Sequence, residues 1–154
     1  MPSLPPNALR RCILVVDDDP VVRQMLARVL VESGYDAVPA ATGDEAMRAL
    51  AGLGSVDLAL VDVELPGESG WTTLAAMRRQ APALHAIIIT AWPHQQEAAR
   101  AAGALGCFEK PLDFPGLLKV IDRALEGQAT NVVATPTPAD GPTPLASPPP
   151  ISST

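Results

Sequence analysis

Ile13-Leu14-Val15-Val16-Asp17-Asp18-Asp19-Pro20 decides how the rest of the chain reads. Four apolar residues in a row suit a short strand buried on both faces. Asp19 then has the character of a helix N-cap, and Pro20 that of a first helical residue. Val22, Met25, Leu26, Val29 and Leu30 follow at helical spacing, and Gly34 closes the helix. A buried strand that ends on acids and passes straight into a helix is the first half of a strand–helix–strand unit.

The same sentence is written three more times. Leu58–Val61 ends at Asp62, Ile87-Ile88-Ile89 ends at Thr90, and a shorter run around Phe108 ends at Lys110. Ligand sites of open α/β sheets form outside the carboxyl ends of the strands. Asp17, Asp18, Asp62, Thr90 and Lys110 are therefore expected on one patch.

Between these runs the chain alternates. Strand 2 is expected at about 36–40, and its Pro39 makes it an edge strand. Thr42-Gly43-Asp44-Glu45 is a capping-box sequence that opens a helix to about Leu50. The turn-rich Leu65-Pro66-Gly67-Glu68-Ser69-Gly70 leads to a helix over about 71–79. Strand 4 covers about 86–89, a short helix about 93–101, strand 5 about 107–109, and the last helix runs from Phe114 or Pro115 to Leu125. The reading is an α/β fold with a five-stranded parallel sheet in the flavodoxin-like order 2-1-3-4-5 and right-handed crossovers.

Composition sets the limits. Ten of the 17 prolines lie at Pro2, Pro5 and Pro6 or from Pro136 onward. Residues 127–154 carry one charge, Asp140, and little apolar bulk, so they cannot offset their ordering entropy and are expected to be disordered. The folded unit is then 10–126, preceded by an extension at 1–9. A net charge of −6 argues against direct nucleic-acid or anionic-membrane binding. No apolar run approaches the roughly 18 residues of a membrane span, and the start lacks the apolar core of a signal peptide. With only Cys12 and Cys107, a reducing cytoplasm is expected. Strands 1 and 5 would lie about 14 Å apart, so the two cysteines should not pair.

Three carboxylates on one patch repel. At an effective dielectric near 20 and roughly 5 Å, each pair costs about 3 kcal/mol. Either a pKa rises or a cation sits there, and an oxygen-lined site with room for water suits Mg²⁺. Lys110 adds a point charge suited to a phosphate oxygen, and Thr90 a hydroxyl donor. A carboxylate, a divalent cation, a lysine and a hydroxyl together describe phosphoryl transfer to an aspartate. The chain has no phosphate-binding Gly-x-x-x-x-Gly-Lys-Ser/Thr loop, so the donor is expected to be a phosphorylated side chain of another protein. Singly, each residue has a plainer reading: Asp19 as a cap, Thr90 as a cap of the fourth helix, Lys110 as a solvated charge.

The chain resembles the receiver domain of bacterial response regulators over about residues 12–126. The motifs are Ile13–Pro20, Asp62-Val63-Glu64-Leu65-Pro66-Gly67-Glu68-Ser69-Gly70, Ile89-Thr90-Ala91 and Glu109-Lys110-Pro111. The resemblance implies Asp62 as phosphoacceptor, and Asp17 and Asp18 as Mg²⁺ acids with the main-chain carbonyl of Glu64 as a further ligand. It implies that Thr90 and Lys110 bind the phosphoryl group, and that the Lys110–Pro111 bond is cis. A histidine kinase or histidine phosphotransfer protein would supply the phosphoryl group. Output would pass to a protein target through the face of the fourth helix, fifth strand and fifth helix, without an output domain and without enzymatic turnover beyond autodephosphorylation. One departure stands out. Three residues before the lysine the family usually carries Tyr or Phe, and this chain has Cys107. That substitution supports an alternative, a receiver-like scaffold or adaptor that works without phosphorylation-driven switching. A third reading, an aspartyl-phosphate phosphatase, lacks its second aspartate, since position 64 is Glu.

If residues 127–154 add nothing to the core, a chain ending at Gln128 should keep its Tm and its phosphorylation rate; a loss of several degrees in a thermal melt would overturn that expectation.

Overall fold

The computed structural model describes residues 10–53 and 55–126. The elements run β1 (Cys12–Val16), α1 (Pro20–Glu32), β2 (Asp36–Ala40), α2 (Gly43–Leu53), β3 (Leu58–Asp62), β4 (Glu64–Leu65), β5 (Glu68–Ser69), α3 (Gly70–Gln80), β6 (His85–Thr90), α4 (Gln96–Ala101), β7 (Gly106–Glu109) and α5 (Phe114–Leu125). β1, β2, β3, β6 and β7 form one parallel sheet in the order β2-β1-β3-β6-β7. This is the expected order once the two-residue strands β4 and β5 are set aside as a separate antiparallel hairpin. Pro39 pairs with Val15 on the edge strand, where its missing N–H faces outward at no cost to the ladder.

Alternation along the strands splits the core into two layers. Leu14, Val16, Ala59, Val61 and Ile88 face Leu50 of α2, Leu74 and Met77 of α3 and Ala99 of α4. Ile13, Val15, Leu58, Leu60, Ile87 and Ile89 face Leu26 and Leu30 of α1 and Leu117, Ile121 and Leu125 of α5. A strand buried on both sides has to be apolar at every position, which is why the sequence shows unbroken runs there.

Helix ends follow local chemistry. Asp19 accepts from the Val21 amide and Asp113 from the Gly116 amide, each ahead of a proline in the first turn. Glu45 and Thr42 exchange the two bonds of a capping box, Glu45 accepting from the Ala41 amide and Thr42 from the Glu45 amide. Gly34, at φ 99, follows the end of α1, a left-handed turn for which glycine carries no Cβ penalty.

Two expectations need correction. α2 continues to Leu53 rather than stopping near Leu50. α4 starts at Gln96, not Pro93. Residues 91–95 are an irregular loop in which His94 adopts φ 62, so Pro93 cannot serve as a first helical residue and Thr90 is no helix cap. Cys12 and Cys107 are both free thiols, as the strand order requires. Burial, then the charge of Glu109, pushes the Cys107 thiol up to about 11. The Lys110–Pro111 peptide bond is cis. The expected extension at 1–9 and tail at 127–154 lie outside the described residues.

Ile121 is fully buried between α5 and the sheet. Ile121→Ala should cost about 3 kcal/mol in urea unfolding with an unchanged m value. Arg28→Ala, which removes only the exposed Arg28–Glu32 pair, should shift stability by less than about 0.5 kcal/mol.

Candidate functional site

The carboxyl ends of β1, β3 and β7 bring Asp17, Asp18, Asp62 and Lys110 together, and Thr90 ends β6 between β3 and β7. Asp62 is the last residue of β3 and Thr90 the last of β6, and both are buried, as is Asp17 immediately after β1. Lys110 follows β7, and Asp18 lies exposed at the rim. The carboxylate oxygens of Asp17, Asp18 and Asp62 lie within 4.8 Å of one another. Lys110 Nζ stands 3.0 Å from Asp17 Oδ2 and 3.0 Å from Asp62 Oδ2. Three carboxylates and one ammonium leave a formal charge of −2 on the cluster.

Backbone donors hold two of the acids. The Asp19 amide donates to Asp17 Oδ1 at 2.9 Å, and the Glu64 amide donates to Asp62 Oδ1 at 3.0 Å. Lys110 Nζ donates to Asp62 Oδ2, but its approach to Asp17 Oδ2 lacks hydrogen-bond geometry. That oxygen is buried with no donor aimed at it. An unmet carboxylate oxygen facing two further acids is what an oxygen-ligated divalent cation needs, so this donor set fits Mg²⁺.

The charges respond as physics requires. Burial raises the Asp17 pKa; the Asp19 amide and Lys110 work against that, and the Asp62 charge adds to it. Burial alone would lower the Lys110 pKa, but its ion pairs with Asp17 and Asp62 outweigh it, so the ammonium is held more firmly than usual.

Several details of the site's geometry could not be read from the sequence. The loop after β3 is a tight hairpin, with the Gly70 amide donating to the Val63 carbonyl at 2.7 Å. Any Cβ on Gly70 would run into the Asp62 carbonyl oxygen, so close approach makes that position glycine. Thr73 donates to Glu68 Oε2 at 2.6 Å, which pins the hairpin to α3. The Trp92 amide donates to Thr90 Oγ1 at 2.9 Å, linking the buried hydroxyl to an indole that is half exposed. Arg23 Nη1 donates to the Asp17 carbonyl at 2.8 Å. A helix-borne arginine reaching back one turn has no short sequence signature. A separate cavity of about 630 Å³, lined among others by Arg11, Asp57 and His85, sits at the opposite edge of the sheet.

The sign of the charge problem is testable without metal. A carboxylate whose folded pKa is raised destabilises the fold as pH rises from the ordinary carboxylate range through that higher value. Asp18→Asn relieves carboxylate repulsion within the cluster and should raise the Tm in EDTA at pH 7 by a few degrees, about 1 kcal/mol. The gain should shrink at acid pH, where Asp17 is protonated. Melts at several pH values check it, and a lower Tm at pH 7 would contradict it.

Comparison with known proteins agrees with this geometry. The family model described as the response regulator receiver domain matches residues 13–122. The transcriptional regulatory protein PdtaR of Mycobacterium tuberculosis is 34% identical over 123 residues, 77% of this chain and 58% of that protein. The transcriptional regulatory protein GlrR of Escherichia coli is 34% identical over 119 residues, 76% of this chain and 27% of that protein. The chain thus spans just over half of the first and about a quarter of the second. Among solved structures, the CheY-like receiver domain protein of Methanospirillum hungatei superposes with a TM-score of 0.72 at 28% identity, covering 77% of this chain and 96% of that one. The response regulator TrrA of Thermotoga maritima, solved in complex with Mg²⁺-BeF, gives 0.68 at 31% identity, covering 75% of this chain and 99% of that one. A parallel five-stranded sheet with an acid-and-lysine cluster at its carboxyl edge, matched by family and structure alike, means that the chain belongs to the response regulator receiver domains of two-component systems.

Proposed function

We propose that this receiver accepts a phosphoryl group on Asp62 from the phosphohistidine of a histidine kinase or histidine phosphotransfer protein. Mg²⁺ would be held by Asp17, Asp18, Asp62 and the main-chain carbonyl of Glu64. The observation that carries the reading is Lys110 Nζ lying 3.0 Å from both Asp17 and Asp62 inside a cluster of three carboxylates. The Asp62 carboxylate attacks phosphorus in line, a P–O bond forms and the P–N bond to the donor imidazole breaks. Lys110 neutralises a phosphoryl oxygen as it nears the buried carboxylate. Thr90 Oγ1 accepts from the Trp92 amide, which leaves its own proton available to donate to the phosphoryl group. Bound Mg²⁺ would supply charge neutralisation for the transferring oxygens. Residues 10–126 would form the working unit, in the cytoplasm, acting through protein contacts on the α4–β7–α5 face and without direct contact to nucleic acid or membrane. Among the described residues no helix is long and apolar enough to cross a membrane.

Cys107 keeps the second reading, a scaffold or adaptor without phosphorylation-driven switching, in view. It is buried on β7 opposite Ile88, where the family usually places an aromatic ring. A thiol this small cannot sweep between exposed and buried poses with a comparable change of surface, and burying a ring is worth about 1.5–3 kcal/mol. The Thr90–Trp92 bond supports the loop after β6 as the route out of the site instead.

Acetyl phosphate with Mg²⁺ should add one phosphoryl mass by intact-mass measurement, and Asp62→Asn should abolish it. Undiminished labelling of that variant would sink the assignment, and a wild type that never labels would favour the scaffold reading. Cys107→Tyr should enlarge the beryllofluoride-induced NMR shift changes over residues 104–118. Large wild-type changes there, to which the Tyr variant adds nothing, would refute the weakened readout.

A further inference from the structure

We infer that Arg23 is a positioning residue of the cation site, fixing the peptide between Asp17 and Asp18 so that the Asp18 carboxylate joins the cluster. The inference rests on the proposed reading of the acidic pocket. Asp17 is held at its amide by the Ala40 carbonyl and at Oδ1 by the Asp19 amide, while Asp62 is held by the Glu64 amide and Lys110. Asp18 has no such help. Among the described residues its carboxylate makes no hydrogen bond and no ion pair, and it is exposed, yet it lies within 4.8 Å of the other two acids. Its place is therefore set by the main chain that carries it.

Among the described residues the peptide between Asp17 and Asp18 has one side-chain tie. Arg23 sits in the first turn of α1, its amide bonded to the Asp19 carbonyl. Helical side chains lean toward the N-terminus, and the guanidinium reaches back to donate to the Asp17 carbonyl at 2.8 Å. This carbonyl belongs to the peptide plane that joins Asp17 to Asp18. Rotating the plane would swing the Asp18 Cα–Cβ bond away from the cluster. Although Arg23 sits half-buried against the Asp17 carbonyl, among the described residues its guanidinium forms no ion pair with Asp17, Asp18 or Asp62. Its contact is with backbone, as orientation requires and charge neutralisation does not.

The two roles predict opposite signs. If Arg23 acted only as a nearby positive charge, its removal would tighten binding of a cation. If it orients Asp18, its removal weakens binding, as loss of groups that orient metal ligands generally does. The test is calorimetric titration of the full chain, stripped of metal, with Mg²⁺ at pH 7, alongside thermal melts in EDTA. Arg23→Gln, whose amide is too short to span the turn, should weaken Mg²⁺ binding by about tenfold. Arg23→Lys, which keeps a donor on a long stem, should recover most of the affinity. Equal or tighter Mg²⁺ binding by Arg23→Gln overturns the inference, as does a Lys variant as weak as the Gln variant. If Arg23→Gln melts too early to titrate, Arg23→Met serves with the same expected loss. A wild type that does not bind Mg²⁺ overturns this inference together with the pocket reading beneath it. A wild type that binds, with variants that match it, removes only the role of Arg23.

Discussion

Repulsion among Asp17, Asp18 and Asp62 is the constraint around which this domain is organised. Separated in water, three carboxylates would cost one another little. Here they are brought within 4.8 Å at the edge of a low-dielectric sheet, and two of the three are buried. Lys110 offsets part of the cost, while burial first, and then the Asp62 charge, raises the Asp17 pKa. Such an arrangement persists only if surrounding structure over-determines it. The fully buried strands β1, β3 and β6 supply that rigidity, with two packed layers that leave the strand ends no freedom to drift apart.

Register does the aiming. β1 pairs Val16 with Val61, β3 pairs Asp62 with Ile89, and β6 pairs Thr90 with Glu109 just before Lys110. Because strand side chains alternate faces, a slip of one residue would turn Asp62 or Thr90 away from the cluster and carry the apolar set with it. The geometry of the site and the burial of the core are thus one specification. The hairpin after Asp62 extends it: Gly70 allows the backbone to close over the Asp62 carbonyl, and the Glu68–Thr73 bond anchors the loop to α3.

This explains what could be read from the residues alone. Strands buried on both faces must be apolar throughout, so Ile13–Val16, Leu58–Val61 and Ile87–Ile89 announce themselves, and their last residues announce the site. The strand order was legible because Pro39 marks an edge. Harder to read were features set by tertiary contact. α4 begins at Gln96 because the chain turns through a left-handed His94, which Pro93 gave no hint of. The hairpin of Glu64–Leu65 with Glu68–Ser69 is too short to leave a period-two pattern. The reach of Arg23 to the Asp17 carbonyl depends on where β1 hands over to α1, which no local propensity encodes.

Thr90 ties the end of β6 to the loop that follows it. Its hydroxyl is buried at the end of β6, one residue of loop away from Trp92, whose amide donates to it. A hydroxyl can accept from that amide while donating elsewhere, or rotate and lose it. The loop it would release, residues 91–95, is irregular and carries an indole half exposed to solvent. On the neighbouring strand Cys107 is a small buried residue paired with Ile88. Cys107 is buried already, so of these two residues only Trp92 still exposes much apolar surface. The half-exposed indole of Trp92 is thus tied through its own amide to the end of β6, whereas Cys107 is a small buried side chain on β7.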